Sequence, residues 1–253
     1  PIKSSAASDV YKRQGYKVYF DPSTRFMRGL DSEGNWRTPF NPRASNHRND
    51  DYCEGTAWQW TWFVPHDVDG LVELMGGRDA FIGKLDSLFT ADSKLEGEST
   101  SVDISGLIGQ YAHGNEPSHH IAHLYNYVGQ PWRTQEIVDE VLHTLYFNNP
   151  DGLSGNEDCG QMSAWYILNA MGFYQVCPGK PVYSIGRPLF NEATVHLKDG
   201  KSFKVIAHNN SRDNKYVRSI VLNGNKLETP FFTHQDIVDG GTLELTMGSE
   251  PLK

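Results

Sequence analysis

The sequence predicts a mainly α-helical chain that ends in a small antiparallel β-sheet. Two observations support this fold class. Between residues 56 and 172, apolar side chains recur at helical spacing, and Pro and Gly separate the segments. From about Pro181 onward, β-favouring runs alternate with DG, NN, NGN and GG turns. Helical hairpins followed by strands are typical of α+β layering or of two sub-domains.

The N-terminal part offers little regular structure. The stretch Ser4–Gln14 resembles the translated remnant of a sequencing adapter, or else is an ordinary polar N-terminal tail, and residues 1–14 are excluded from the fold prediction. Residues 15–50 are rich in Asp, Asn, Pro, Gly and Arg. This composition predicts an irregular segment with one short strand, at Tyr16–Phe20.

The predicted helices follow one another and give way to strands. Apolar spacing, with caps and breakers at the ends, marks each helix. The predicted helices are Thr56–Phe63, a segment from its cap Asp69 to Gly76, Asp79–Phe89, Pro117–Gly129, Thr134–Phe147 and Ser163–Gly172. The predicted strands are ATVHL, SFKVIAH, YVRSIVLNG and TLELTM, all after residue 180.

Composition excludes several classes of function. The 253 residues are 38% hydrophobic, which is enough for a sizeable core, and the formal net charge is −8 without a Lys/Arg run, so nucleic-acid binding is not expected. The three Cys show no CxxC spacing, which predicts neither a disulfide framework nor a cysteine zinc site. No apolar stretch approaches the roughly 20 residues of a membrane span, and no signal peptide is visible.

The first of three polar clusters is Asp51–Trp60, where Glu54 lies near Trp58 and two further tryptophans. A carboxyl group among aromatic rings loses hydration, which favours its protonated form and suits a general acid. Alternatively, Glu54 is a first-turn residue that interacts favourably with the helix dipole.

The second cluster, Tyr111–His123, surrounds a predicted helix start. His119 and His123 have the i, i+4 spacing of zinc ligands, but His120 stands where an HExxH motif has its Glu. Asn115 and Glu116 offer hard oxygen donors, which suit calcium. A polar cap with a hydrogen-bonded histidine is the simpler alternative.

The third cluster is GNEDCGQMSAWY, which starts at Gly155. Asp158, with Gln161 three residues later, resembles a capping box. Capping alone accounts for Asp158, but it does not account for Asn156 and Glu157 directly before it. Two carboxylates far apart in sequence, each at a helix start beside aromatic residues, also suggest the two-carboxylate chemistry of glycoside hydrolysis.

Three long motifs resemble glycoside hydrolase family 92 α-mannosidases. They are YCEGTAWQWTWFVPHDVDGLVELMGG, GLIGQYAHGNEPSHHIAHLYNYVGQPWRTQ and GLSGNEDCGQMSAWYILNAMGFYQVCPG, and the resemblance extends from Gly15 to the C-terminus, including YSIGRPLF and LNGNKL.

The resemblance implies a fold and a domain organisation. Family members combine an N-terminal β-sandwich domain with a C-terminal (α/α)6-barrel catalytic domain. By this resemblance, residues 15–180 form part of the barrel and residues 181–253 a C-terminal β-rich subdomain. The sandwich domain and the earlier barrel hairpins are expected in a missing upstream part of the same chain.

The resemblance also implies a reaction and its residues. The family consists of calcium-dependent, inverting, exo-acting enzymes, here expected to release mannose from mannose-containing glycans. It implies Glu54 as general acid and Asp158 as general base, with their carboxyl groups roughly 6.5–9.5 Å apart. The other roles that it implies are calcium binding by Asn115 and Glu116, and substrate contacts by Trp58, His113, His119, Asn156 and Glu157.

Asn156 departs from the Asp that is frequent at this position in the family, so the support of the base is expected to differ here. The resemblance further suggests a bacterial protein that is periplasmic or secreted. Two alternatives remain at this stage: a non-catalytic relative that binds mannose glycans, and a zinc-dependent hydrolase that uses His119 and His123.

Overall fold

The computed structural model describes residues 14–47 and 50–253. It forms two compact units, which divide between Ser118 and His119. The adapter-like or polar tail predicted for residues 1–14 lies almost wholly outside the described residues. The domain boundary predicted at residue 180 stays a prediction.

The first unit combines short helices with two-stranded pairings. Strands β1 and β2 pair antiparallel, β3 and β4 parallel, and β5 and β6 antiparallel. Its elements are a 3-10 helix Gly15–Tyr19, β1 Phe20–Asp21, β2 Phe26–Met27, β3 Ala44–Asn46, α1 Ala57–Trp60, α2 Val68–Leu74, α3 Arg78–Thr90, β4 Glu96–Ser99, β5 Leu107–Ile108, β6 Tyr111–Ala112 and a 3-10 helix Glu116–Ser118.

Three local predictions in this unit were wrong in detail. The strand predicted at Tyr16–Phe20 is a 3-10 helix as far as Tyr19, because none of these residues is buried and an alternating strand would gain no packing there; only the buried Phe20 is in a strand, β1. The helix predicted from Thr56 is a single α-turn, Ala57–Trp60. Helix α2 is capped by Asp67, whose carboxylate accepts from the Gly70 amide, and Asp69 lies in the first turn.

The second unit begins with helices and ends in two sheets. Its elements are a 3-10 helix Ile121–His123, α4 Leu124–Tyr127, α5 Pro131–Thr144, α6 Gln161–Met171, β7 Phe173–Tyr174, β8 Val182–Ile185, β9 Glu192–His196, a 3-10 helix Lys198–Gly200, β10 Ser202–His208, β11 Tyr216–Leu222, β12 Asn225–Lys226, β13 Phe231–Thr233, α7 His234–Val238 and β14 Gly241–Gly248.

The C-terminal sheet is mixed and not purely antiparallel as predicted. Its five strands run in the order β12-β11-β14-β10-β9, and β10 pairs with β14 in parallel. The last strand, β14, lies between β10 and β11 in the sheet, and β13 and α7 precede it along the chain. A separate three-stranded sheet, β13-β8-β7, was not predicted.

The core of the second unit lies between these sheets and α6. Alternate residues of β10 and β14 point into it, among them Phe203 and Leu245, and Phe173 and Phe232 pack there as an aromatic pair. Helix α6 ends at Gly172, as predicted, and this residue adopts a left-handed conformation with a φ of +102°.

The long helix predicted over Pro117–Gly129 does not form. In the second unit the chain makes a 3-10 turn, Ile121–His123, and then one α-turn, α4. Its imidazole and amide side chains are buried and bond to other elements, which overrides the local helical pattern. The arrangement of the helices as part of an (α/α)6 barrel stays a prediction. Among the described residues, no helix is long and apolar enough to cross a membrane.

Candidate active site

The backbone at Glu54 is the most unusual feature of the first polar cluster. Glu54 has a φ of +52°, in the left-handed region that a Cβ disfavours. Its side chain is exposed, so the loss of hydration predicted from the neighbouring tryptophans is not observed. Glu54 also precedes α1 and lies outside its first turn, because the cap is Thr56, which forms a capping box with Gln59.

The residues on either side of Glu54 are held by hydrogen bonds. The Trp60 indole N–H donates to the Cys53 carbonyl over 2.8 Å. The Asn115 amide nitrogen donates to the Glu54 carbonyl over 2.7 Å. Asn115, a predicted calcium ligand, therefore contacts the segment of the predicted general acid through its amide nitrogen, and its amide oxygen takes no part in that bond.

Trp58 lies half-buried against Phe26, with ring centroids 4.9 Å apart in an edge-to-face arrangement. The Lys84 ammonium of α3 lies 4.5 Å from the Trp58 ring centroid and 3.2 Å from that of Phe26. Lys84 is only 8% exposed. Burial, with a contribution from Arg25, lowers the pKa of Lys84 to about 7.

Lys84 was not singled out in the sequence analysis, although the helical spacing of its apolar neighbours indicated it. Phe81, Lys84, Leu85 and Leu88 are all buried on one face of α3, and they follow helical spacing. A lysine in such an apolar stripe indicates a buried amine or a stem that reaches out to solvent. Here the structure shows the former.

The predicted sugar contact His113 is fully buried. Its Nδ1 lies 2.9 Å from the Tyr111 hydroxyl, and the two rings are 5.9 Å apart. His119, in the second unit, is 2% exposed, and its Nδ1 faces the Gln161 amide over 3.1 Å. Both imidazoles thus support the surrounding chain, and their contact with a sugar stays a prediction.

The buried His123 is unsuited to binding zinc. Its Nε2 lies 2.8 Å from Asn169 Oδ1 and its Nδ1 3.0 Å from Ser184 Oγ. Burial lowers the pKa of His123 to about 4, so the ring is neutral, with one nitrogen donating and the other accepting. A metal would have to displace one of these bonds, which removes one of the two ligands from the zinc alternative.

The residues around calcium's predicted position fit a hard cation by donor type. Asn115 offers its amide oxygen, and the half-buried Glu116 offers a carboxylate. Within the described part of the chain, no three His, Cys, Asp or Glu side chains are grouped to hold a metal ion. Asn115 and Glu116 would supply two oxygen ligands to a calcium ion bound there.

In the third cluster, the residue that binds the free amides at the start of α6 and the candidate base are two different residues. Glu157 accepts from the Gly160 amide over 2.5 Å and from the Ser163 amide over 3.3 Å, at the start of α6. The N-cap position is Gly160, and the predicted capping box of Asp158 with Gln161 does not form. The cap prediction for Asp158 was therefore wrong, because the carboxylate one residue earlier reaches the free amides.

Asp158 itself is exposed and lies in a left-handed run. Asp158, Cys159 and Gly160 have φ values of +54°, +56° and +101°. Such conformations persist where the surroundings impose them, and they cluster at functional sites. Asn156 is exposed next to this run. Glu54 belongs to the first unit and Asp158 to the second, and the separation of their carboxyl groups stays a prediction.

Comparison with known proteins places these features in one family. Residues 3–249 match the glycosyl hydrolase family 92 catalytic domain. Two solved structures from Bacteroides thetaiotaomicron are similar: the α-mannosidase BT3965 in complex with mannoimidazole, at 43% identity over 94% of this chain with a TM-score of 0.87, and the inverting mannosidase BT2199, at 40% identity over 98% with a TM-score of 0.82.

A protein of Arthroderma benhamiae described as an uncharacterized secreted glycosidase is 32% identical over 200 residues, or 78% of this chain. The chain spans 32% and 35% of the two solved structures and 24% of the Arthroderma protein. It therefore corresponds to about a third or less of each relative.

We expect replacement of Lys84 by Met to change how stability depends on pH. A buried amine with a pKa of about 7 binds fewer protons than an unfolded lysine, which titrates near 10.4. The stability of the wild-type chain should therefore rise between about pH 7 and pH 10, and this rise should be smaller in Lys84→Met. At pH 7 the variant should be more stable by on the order of 1 kcal/mol.

Urea unfolding of this chain at several pH values measures both effects. The exposed Lys94→Met is the matched control and should follow the wild type. If the two variants had the same pH dependence, the buried, proton-poor state of Lys84 would be disproved.

We expect Glu157→Gln to lower the urea midpoint of the second unit at neutral pH. The Ser163 hydroxyl and the Ser163 and Gly160 amides hold the pKa of the Glu157 carboxyl below its usual range. Its stabilising effect is thus fully present above the unfolded value of about 4.3 and is lost as pH falls through the folded pKa. The difference between wild type and variant should shrink in acid, whereas the exposed Glu140→Gln should match the wild type throughout.

Proposed function

The chain belongs to glycosyl hydrolase family 92, and we propose that it supplies the acid and the base of a calcium-dependent, inverting exo-α-mannosidase that acts on mannose-containing glycans. The observation that carries this proposal is the similarity to two Bacteroides mannosidases, which extends over 94% and 98% of the chain. The activity is proposed for the complete protein, since the chain spans about a third of those structures.

In the proposed reaction, Glu54 donates its proton to the glycosidic oxygen while the C1–O bond breaks and its electron pair moves to that oxygen. A water molecule forms the new bond to C1 from the opposite face, and Asp158 takes its proton. One water is consumed, and mannose and the shortened glycan leave with inverted configuration at C1. The exposure of both carboxylates is compatible with access by substrate and water.

The neighbouring residues have supporting roles in this proposal. Asn115 and Glu116 would hold the calcium ion. Its positive charge would attract the 2- and 3-hydroxyls of mannose and help to flatten the sugar ring. Asn156, exposed beside Asp158, would orient the attacking water by hydrogen bonding without adding charge. Trp58 offers an indole ring for contact with the sugar, although one side of it packs on Phe26.

The rest of the same protein is proposed to contribute a β-sandwich domain and further barrel hairpins, which the greater length of the solved relatives supports. A bacterial periplasmic or secreted location is proposed as well. The Arthroderma relative, described as secreted, supports an extracellular enzyme.

In the full-length protein, we expect Glu54→Gln and Asp158→Asn each to lower kcat on α-linked mannobiose by about 10²- to 10⁴-fold, since each removes a proton-transfer group. A calcium chelator should also abolish turnover. Proton NMR of the first mannose released should show the β-anomer, as inversion requires.

Glu140→Gln serves as the control, because Glu140 is an exposed glutamate on α5. Turnover that survives both chelation and Glu54→Gln would refute the proposal. Binding of mannobiose without turnover by the wild type would indicate the non-catalytic relative instead.

A further inference from the structure

We infer that Asn115 is a positioning residue for the general acid: its side-chain amide holds the Glu54 carbonyl and so fixes the left-handed backbone from which the Glu54 carboxyl is aimed. This inference rests on the proposed function of Glu54. It assigns to the Asn115 nitrogen a role that is separate from calcium binding by its oxygen.

Glu54 needs such a restraint because its own conformation is unfavourable. A residue with a Cβ loses roughly 1–2 kcal/mol in the left-handed region. Asn and Asp tolerate it best, and most of the other non-glycine residues with positive φ in the described chain are of these types. Glu54 lacks this tolerance. If its backbone relaxed to a β or right-handed conformation, the Cα–Cβ bond would point in another direction and the carboxyl would leave its position.

The flanks of Glu54 are fixed independently. Trp60 holds the Cys53 carbonyl, and a Cβ added at Gly55 would lie 2.7 Å from the Trp60 indole nitrogen, so only glycine allows this approach. Thr56 then starts α1 through its capping box. With both flanks fixed, the remaining freedom is the orientation of the peptide group that follows Glu54. The 2.7 Å bond from Asn115 restrains the carbonyl of that peptide group.

Asn115 can hold this carbonyl because its own loop is firmly placed. It is 7% exposed, and its backbone carbonyl accepts from the Ser118 amide over 3.1 Å. The two preceding amides, those of His113 and Gly114, bond to the carbonyls of Gly106 and Ser105 at 3.1 and 3.0 Å.

A second bond joins the helix that follows Glu54 to the residue before β6. The Gln59 amide nitrogen, from α1, donates to the Gln110 carbonyl over 2.6 Å, just before β6. The bonds of Gln59 and Asn115 therefore tie the stretch around Glu54 to the chain on either side of β6, one before the strand and one after it. A residue held in this way on a buried scaffold can keep a catalytic group within the narrow geometry that proton transfer requires.

The two roles of Asn115 use different atoms, which makes them separable. Holding the Glu54 carbonyl requires the N–H donor, whereas calcium binding requires an oxygen. Asn115→Asp keeps the oxygens and adds the charge that calcium prefers, but it sets a carboxylate against a carbonyl. Glu116→Gln is the matched opposite, because it weakens the calcium ligand and leaves the bond from Asn115 to Glu54 in place.

The experiment compares two substrates of the full-length protein at saturating calcium. Mannobiose has a poor leaving group that needs protonation, whereas 2,4-dinitrophenyl α-mannoside has a leaving group that departs without it. For Asn115→Asp we expect kcat/KM on mannobiose to fall about 10- to 100-fold, and to change less than about threefold on the activated substrate. Glu116→Gln should lower both values alike and raise the calcium concentration needed for half activity.

Equal losses of Asn115→Asp on the two substrates, or no loss on either, would overturn the inference. Glu54→Gln in the same comparison tests the proposed function separately from the inference about Asn115. If the loss of kcat/KM in that variant does not depend on the leaving group, the assignment of Glu54 as the acid fails. Circular dichroism and the urea midpoint report whether each variant is folded. Should Asn115→Asp not fold, Asn115→Ala removes the donor without burying a charge. Because Ala also removes the oxygen proposed for calcium, which lowers both values alike as in Glu116→Gln, the test is then the additional loss on mannobiose relative to the activated substrate.

Discussion

Both proposed catalytic carboxylates lie on backbone that L-residues avoid, and the rest of the candidate site depends on the groups that hold it there. Glu54 and Asp158 have φ values of +52° and +54°. Each costs conformational energy that the surroundings must offset. In the first unit the offset comes from Asn115 and Trp60, which hold consecutive carbonyls. In the second unit, Glu157 accepts from the amide of Gly160, within the left-handed run, and from that of Ser163, just after it.

Three histidines near the predicted site residues are buried and bonded to other side chains. His113, His119 and His123 are all nearly or fully buried, and their ring nitrogens face a hydroxyl or an amide. A buried imidazole without partners would be costly, whereas a bonded one specifies a single arrangement of its neighbours. The burial of these three histidines is thus explained by their bonds within the protein, without any contact with sugar.

The cluster before α6 shows how one stretch can divide two tasks between adjacent carboxylates. Local propensity favours Asp as a cap, and the spacing to Gln161 strengthened that interpretation. The left-handed turn at Asp158 and Cys159 instead brings Glu157 to the amides of Gly160 and Ser163. Asp158 is therefore free of the capping task and stays exposed for the role proposed here.

The sequence by itself determined the family, the principal helices and the strands of the C-terminal sheet. Its long motifs carry enough information to identify relatives, and periodicity suffices for elements such as α3, α5 and β10, which bury one regular face. Tertiary structure decided what periodicity cannot encode: the single α-turn after Thr56, the broken helix around His123, the parallel pairing of β10 with β14, and the left-handed backbone of Glu54. In each case hydrogen bonds or pairings between residues distant in sequence outweigh the local preference of the chain, and such bonds leave no regular pattern along it.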